Sequence, residues 1–146
     1  MTTPNILGIS HITLTVRDIA AATDFWTGAL GFDLAIEQEA FRFVVRRELP
    51  VAILLVGHGS GTFDEHHVGL DHLAFAVPDV ESLRQWEQRM KEYGVPYTPI
   101  VDGDGGHHLN LRAPDDLPIE LYVINETMAT AIGLGSTAEA VSRVAY

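Results

Sequence analysis

Two histidines and one glutamate carry the chemistry this sequence offers. His11 lies in GISHITLTVRDI (residues 8–19), and His72 holds the same place in a near copy, GLDHLAFAVPDV (residues 69–80). With His72 set on His11, Leu73 falls on Ile12, Phe75 on Leu14, Val77 on Val16 and Asp79 on Asp18. The glutamate is Glu120, in PIELYV (residues 118–123). Strand alternation there puts Glu120 and Tyr122 on the face opposite Ile119, Leu121 and Val123. Two neutral imidazoles and a carboxylate form a ligand set for a divalent ion, and a three-ligand set leaves coordination positions open for catalysis. Taken singly, each residue has a plainer reading: a hydrogen-bonded edge histidine, or a solvated strand glutamate. The duplication joins them, because it places the two histidines at equivalent positions of like units. A carboxylate turned into a barrel or cleft is costly unless paired or metal-bound, and its own strand supplies no base.

The elements that must hold these residues follow from periodicity. Residues 10–16 alternate as a strand, with His11, Thr13 and Thr15 on one face and Ile12, Leu14 and Val16 on the other. Asp18 stands where a helix N-cap belongs. Ala22, Phe25, Trp26, Ala29 and Leu30 then make an apolar helical stripe that stops at Gly31. Strands are expected over 32–37, 41–47 and 51–56, which gives the first half a βαβββ order. The glycine- and histidine-rich stretch that follows, with His58, His66 and His67, reads as a linker. The second half repeats the plan. His72 opens a strand, and Asp79 caps a helix burying Leu83, Trp86, Met90 and Tyr93 and closing at Gly94. Strands follow over 97–101, 108–112 and 119–124, with a turn at 114–117 before the last. The expected organisation is one domain with modules 8–56 and 69–124, a linker over 57–68 and a C-terminal extension over 125–146. Thr137–Val144 in the extension is plausibly helical, and the extension is left open between covering a sheet edge, joining a homodimer contact and staying mobile.

Parity also reaches the next strand. If Glu120 faces inward, its hairpin partner presents His108 and Asn110 on the same face, with Arg112 further along. His108 would be the acid–base group of that lining. The plainer alternative makes His107 and His108 surface residues beside the GDGG turn. Phe41, Phe43, Leu54 and Tyr122 would shape an apolar pocket. Arg46 and Arg47 are adjacent, so no more than one points inward.

Composition removes other functions. The 146 residues carry a net charge of -11, which opposes nucleic-acid binding, since that needs a basic face to displace counterions. No apolar run approaches the ~18 residues of a membrane span, and the N-terminus lacks the build of a signal peptide. With no cysteine, disulfides, thiolate metal sites and cysteine nucleophiles are all excluded, which suits a cytoplasmic protein.

HITLTVRDI with FWTGALGF, DHLAFAVPDV and LRAPDDLPIELY together resemble the vicinal oxygen chelate superfamily, which includes glyoxalase I, extradiol dioxygenases, fosfomycin-resistance enzymes and bleomycin-binding proteins. The resemblance implies an α+β fold of two βαβββ modules whose curled mixed sheets form a glyoxalase-like barrel or cleft. It also implies that His11, His72 and Glu120 match the metal-ligand positions. Departures narrow the choice. Where glyoxalase I has a further glutamate ligand, this chain has Leu54, and Asn110 stands where extradiol dioxygenases carry a tyrosine. Fosfomycin enzymes hold their anionic substrate with several bases, whereas residues 100–120 contain only Arg112.

The expected function is therefore a divalent-metal enzyme of the glyoxalase/dioxygenase type acting on a small substrate chelated through oxygen atoms. Fe2+ is favoured, with Mn2+, Ni2+ or Zn2+ suiting isomerase or lyase chemistry. His108 and Asn110 are its candidate catalytic residues. The alternative is a metal-free small-molecule binding or drug-sequestering resistance protein.

Overall fold

The computed structural model describes residues 3–133. The chain divides between Gly59 and Ser60 into two compact units.

In the first unit, β1 (His11–Thr15) turns Leu14 inward and leaves His11, Thr13 and Thr15 exposed on its other face. The chain then meets Asp18, whose carboxylate accepts the N–H groups of Ala20 and Ala21, both at 2.9 Å. Those are two of the donors a helix start leaves without an intrahelical partner. α1 (Ile19–Asp24) runs straight into a π-helical turn, Phe25–Ala29, in which the Leu30 N–H reaches back to the Phe25 carbonyl. The wider turn still presents one stripe: Ala22, Phe25, Trp26, Ala29 and Leu30 are all buried, and Trp26 packs edge-on against Phe32 at 5.0 Å. Gly31 turns the chain out at φ 71°, a backbone conformation that favours glycine.

β2 (Asp33–Glu37), β3 (Phe41–Val45) and β4 (Ala52–Val56) complete a sheet of order β1-β4-β3-β2. β1 and β4 are parallel and the other pairs antiparallel, so α1 and the β2–β3 hairpin form the crossover that a parallel pair requires. Val44, Ile53 and Leu55 are fully buried on the helix-packed face.

The second unit has the same order, β5-β8-β7-β6, built from β5 (Leu73–Ala76), β6 (Val101–Gly103), β7 (Gly106–Arg112) and β8 (Pro118–Ile124). Its helix, α2 (Val80–Glu92), starts at Asp79, which accepts the Ser82 N–H at 2.7 Å and the Ser82 hydroxyl at 2.8 Å. These donors hold the Asp79 carboxyl below its ordinary pKa. Leu83 and Met90 are fully buried, as are Leu109, Leu111 and Ile119 in the sheet that α2 packs on.

Three expectations change in the structure. Tyr93 is 51% exposed, because it ends the helix with its ring 4.7 Å from the Arg89 guanidinium instead of on the sheet. The strand expected over 97–101 shrinks to a single bridge between Tyr97 and Leu111, and β6 begins only at Val101. Pro96 and Pro99 have no N–H to give a ladder. β5 begins at Leu73, so His72 stands immediately before the strand.

The β6–β7 turn is fastened from behind. Asn125 gives its backbone N–H to the Gly105 carbonyl and its side-chain amide to the Asp104 carbonyl, while its Oδ1 accepts from Met128 and caps α3 (Glu126–Ala131). The segment Thr137–Val144 lies outside the described residues. Among the described residues, no helix is long and apolar enough to cross a membrane.

Candidate metal-binding site

The ladder registers decide which residues share a face. In the second unit, Ala74 pairs with Glu120, Asn110 with Glu120, and His108 with Tyr122. Glu120, Asn110 and His108 therefore line the face opposite the α2-packed one, where Ile119, Leu121 and Leu109 are buried. His72 precedes β5 on the same parity, and its Nε2 stands 4.0 Å from Glu120 Oε1. Among the described residues no arginine or lysine pairs with Glu120, whose side chain keeps 17% of its exposure. Its partner across the site is the His72 imidazole. Burial, with the Glu120 charge adding to it, pushes the Tyr122 phenol above its ordinary pKa, so Tyr122 is a neutral donor beside the carboxylate. His108 stacks on Tyr122 with ring centroids 6.4 Å apart, half-buried on the lining face. His107 points the other way, with Nε2 3.4 Å from Asp102 Oδ1 at the sheet edge.

His11 belongs to the first unit, where its ring meets Phe43 edge-on at 6.4 Å. Among the described residues, no group of three or more His, Cys, Asp or Glu side chains is gathered for metal binding. What the fold of the second unit itself assembles is the pair His72–Glu120.

Both histidines are held in the same manner by the residue before them. His11 Nδ1 contacts the Ser10 hydroxyl at 2.9 Å, and His72 Nδ1 contacts Asp71 Oδ1 at 2.5 Å. An imidazole engaged at Nδ1 presents Nε2 outward, which is how a carboxylate fixes and strengthens a metal-ligating histidine. The His72–Glu120 separation does not exceed the sum of two metal–ligand bonds of ~2.0–2.2 Å, and a small side-chain rotation would bring both donors to the closer spacing of a tetrahedral or octahedral ion. Asp71 was missed in the sequence reading; the signal was present in the dipeptide before each histidine, Ser10-His11 and Asp71-His72.

The first unit shows what the matching positions became. Thr13 pairs with Leu54 as Ala74 pairs with Glu120, which makes Leu54 the counterpart of Glu120. Phe43, opposite Leu54, matches Asn110, and Phe41, opposite Val56, matches His108. At these three positions one sheet carries donors, and its twin carries rings and a leucine. Arg46 gives Nη1 to the Leu30 carbonyl at 2.6 Å and pairs with Glu48, while Arg47 is exposed.

A repeated βαβββ unit with a histidine at the head of each module and a glutamate in the last strand fits one family model, which matches residues 8–121. The chain belongs to the Glyoxalase/Bleomycin resistance protein/Dioxygenase superfamily. It is 27% identical over 121 residues to biphenyl-2,3-diol 1,2-dioxygenase 3 of Rhodococcus globerulus; that match covers 80% of this chain but only 63% of the dioxygenase. A glyoxylase/bleomycin resistance protein/dioxygenase domain from Frankia sp. EAN1pec superposes with a TM-score of 0.71 at 28% identity, over 83% of this chain and all (100%) of that one. An antibiotic binding protein from Streptomyces sp. CB03234 has the same fold, with a TM-score of 0.66 at 20% identity over 84% of this chain and 100% of its own. The two mixed sheets are thus a glyoxalase-like α+β fold. Members of this superfamily bind small molecules and generally use divalent metals. The glyoxalase-type fourth carboxylate has no equivalent at Leu54.

Proposed function

We propose that this superfamily member is a divalent-metal enzyme in which His11, His72 and Glu120 hold the ion and a small substrate is engaged through neighbouring oxygen atoms. The observation that carries the reading is the pair His72–Glu120, with Nε2 and Oε1 4.0 Å apart and Nδ1 tied to Asp71. Two imidazoles and one carboxylate favour Fe2+, and the bound ion would act as Lewis acid and template for the substrate oxygens. Leu54 keeps the site at three protein ligands.

The chain's own groups divide the remaining work. His108, on the Glu120 face, takes or returns a proton at a ring nitrogen. Tyr122 stacks against that ring and fixes its plane. Asn110, directly across from Glu120 in the ladder, offers both a donor and an acceptor to a substrate oxygen. Phe41 and Phe43, whose rings meet edge-on at 6.2 Å, give the matching face of the first sheet an apolar surface.

The test is metal content by elemental mass spectrometry on tag-free protein prepared anaerobically without chelator, alongside His72→Ala. Near-stoichiometric iron that is lost in the variant is the expected result; manganese, nickel or zinc would redirect the search to isomerase and lyase chemistry. A chain that stays empty and refuses added divalent ions overturns the metal reading. The aromatic face then favours the second reading, a metal-free binding protein.

A further inference from the structure

Beside His72 the second unit forms a half-open pocket of about 420 Å³, of a size to take a single-ring or two-ring molecule. Its charged lining is two carboxylates, Glu65 and Asp71, and one guanidinium, Arg112; Tyr97, Asn110 and His72 add neutral polar groups. Arg112 is already in use. Its Nη2 meets Glu65 Oε1 at 2.6 Å, and its Nη1 meets Glu65 Oε2 at 3.2 Å and the Asp116 carbonyl at 3.0 Å. Its Nε lies 3.8 Å from Asp116 Oδ1. This two-pronged pairing clamps the segment before β5 onto β7, and it consumes the cation an anionic ligand would need. The bidentate bond holds the Glu65 carboxyl down to about 2, so the pair stays ionised at neutral pH.

We propose that the Glu65–Arg112 clamp is a charge gate: the pocket beside His72 takes uncharged or cationic ring compounds and turns away carboxylates and phosphonates. The identity of this pocket as a substrate subsite rests on the metal reading of His72, whereas its charge selectivity rests only on the lining. A ligand anion entering here would face two carboxylates, with a guanidinium already committed to Glu65 and the Asp116 carbonyl.

Benzyl alcohol, benzylamine and benzoate present one ring each and differ in charge, so they test the gate on the full chain. Binding is followed by backbone amide shifts of Thr98, Asn110 and Arg112 in the presence of a chelator, so the outcome does not depend on whether the chain holds metal. Benzyl alcohol and benzylamine are expected to bind at least about tenfold more tightly than benzoate. Glu65→Gln, which releases Arg112, is expected to tighten benzoate about tenfold. Arg112→Gln, which leaves Glu65 uncompensated, is expected to favour benzylamine further and to give benzoate nothing. Equal binding of benzoate and benzyl alcohol to the native chain overturns the proposal. So does a Glu65→Gln chain that gains no benzoate affinity, or a pocket whose amides none of the three probes move.

Discussion

At the scale of single residues, the second unit sets His72, His108, Asn110 and Glu120 on one face, and the two histidines are each held by a neighbour that can be named. Asp71 against His72 Nδ1 is the clearest case. Asp71→Asn keeps the shape but removes the charge that orients the imidazole, and it should weaken divalent-ion binding by roughly 10–100-fold, read by competition with a fluorescent chelator. Glu65 gives a pH signature. Its folded pKa is depressed to about 2, so its contribution is fully present above the ordinary carboxylate range and is lost as pH falls through that range toward about 2. Side-chain carboxyl NMR should place its midpoint at about 2 in the native chain and return it to the ordinary carboxylate range in Arg112→Gln. A midpoint that ignores the Arg112 substitution would mean that something other than the guanidinium lowers it. Neither Asp71 nor the Glu65–Arg112 pair was read from the sequence as functional. The first was visible as a dipeptide, but the second joins residues far apart in the chain, which no local pattern records.

At the scale of elements, caps and glycines decide where the helices and turns lie. Asp18→Ala removes the acceptor for two N–H groups at the start of α1 and should cost about 1 kcal/mol in urea unfolding, with no change in the slope of the transition. Leu83→Ala, at a fully buried position where α2 meets the sheet, should cost about 2–5 kcal/mol by the same measurement. Gly106 is a different case: its φ is 140°, and a Cβ there would run into the Val123 carbonyl of the neighbouring strand. Gly106→Ala should therefore destabilise the chain by at least ~2 kcal/mol, and a neutral substitution would show that the β7–β8 ladder has room to move. The apolar stripes and capping aspartates were legible because helix periodicity and capping are local. The exposure of Tyr93 and the shortening of the strand near Pro96 and Pro99 were not, since both depend on how the edge of the sheet is completed.

At the scale of the whole molecule, duplication produced two sheets of identical strand order with unlike working faces. The same ladder position is Glu120 in one and Leu54 in the other, and the same cross-strand neighbour is Asn110 in one and Phe43 in the other. A three-ligand rather than four-ligand site is the consequence under the metal reading. The net charge of -11 should leave the chain without measurable retention of duplex DNA even at low salt, where phosphate contacts are strongest. Retention that falls with added salt would reveal a basic patch the composition hides.

By itself the sequence determined the duplication, the βαβββ order of each half, the helix caps and the alternation that sets His108 with Asn110 on one face of their strand and Glu120 with Tyr122 on one face of theirs. All of these follow from side-chain periods of 2.0 and 3.6 and from local hydrogen bonding, which a chain carries wherever it goes. Only the tertiary structure decided that His72 and Glu120 stand 4.0 Å apart, that Leu54 is the counterpart of Glu120, and that Arg112 is spent on Glu65. Those facts depend on ladder register and on where a connecting segment lies across a sheet. Both are fixed by contacts between residues distant in sequence, so no window along the chain contains them.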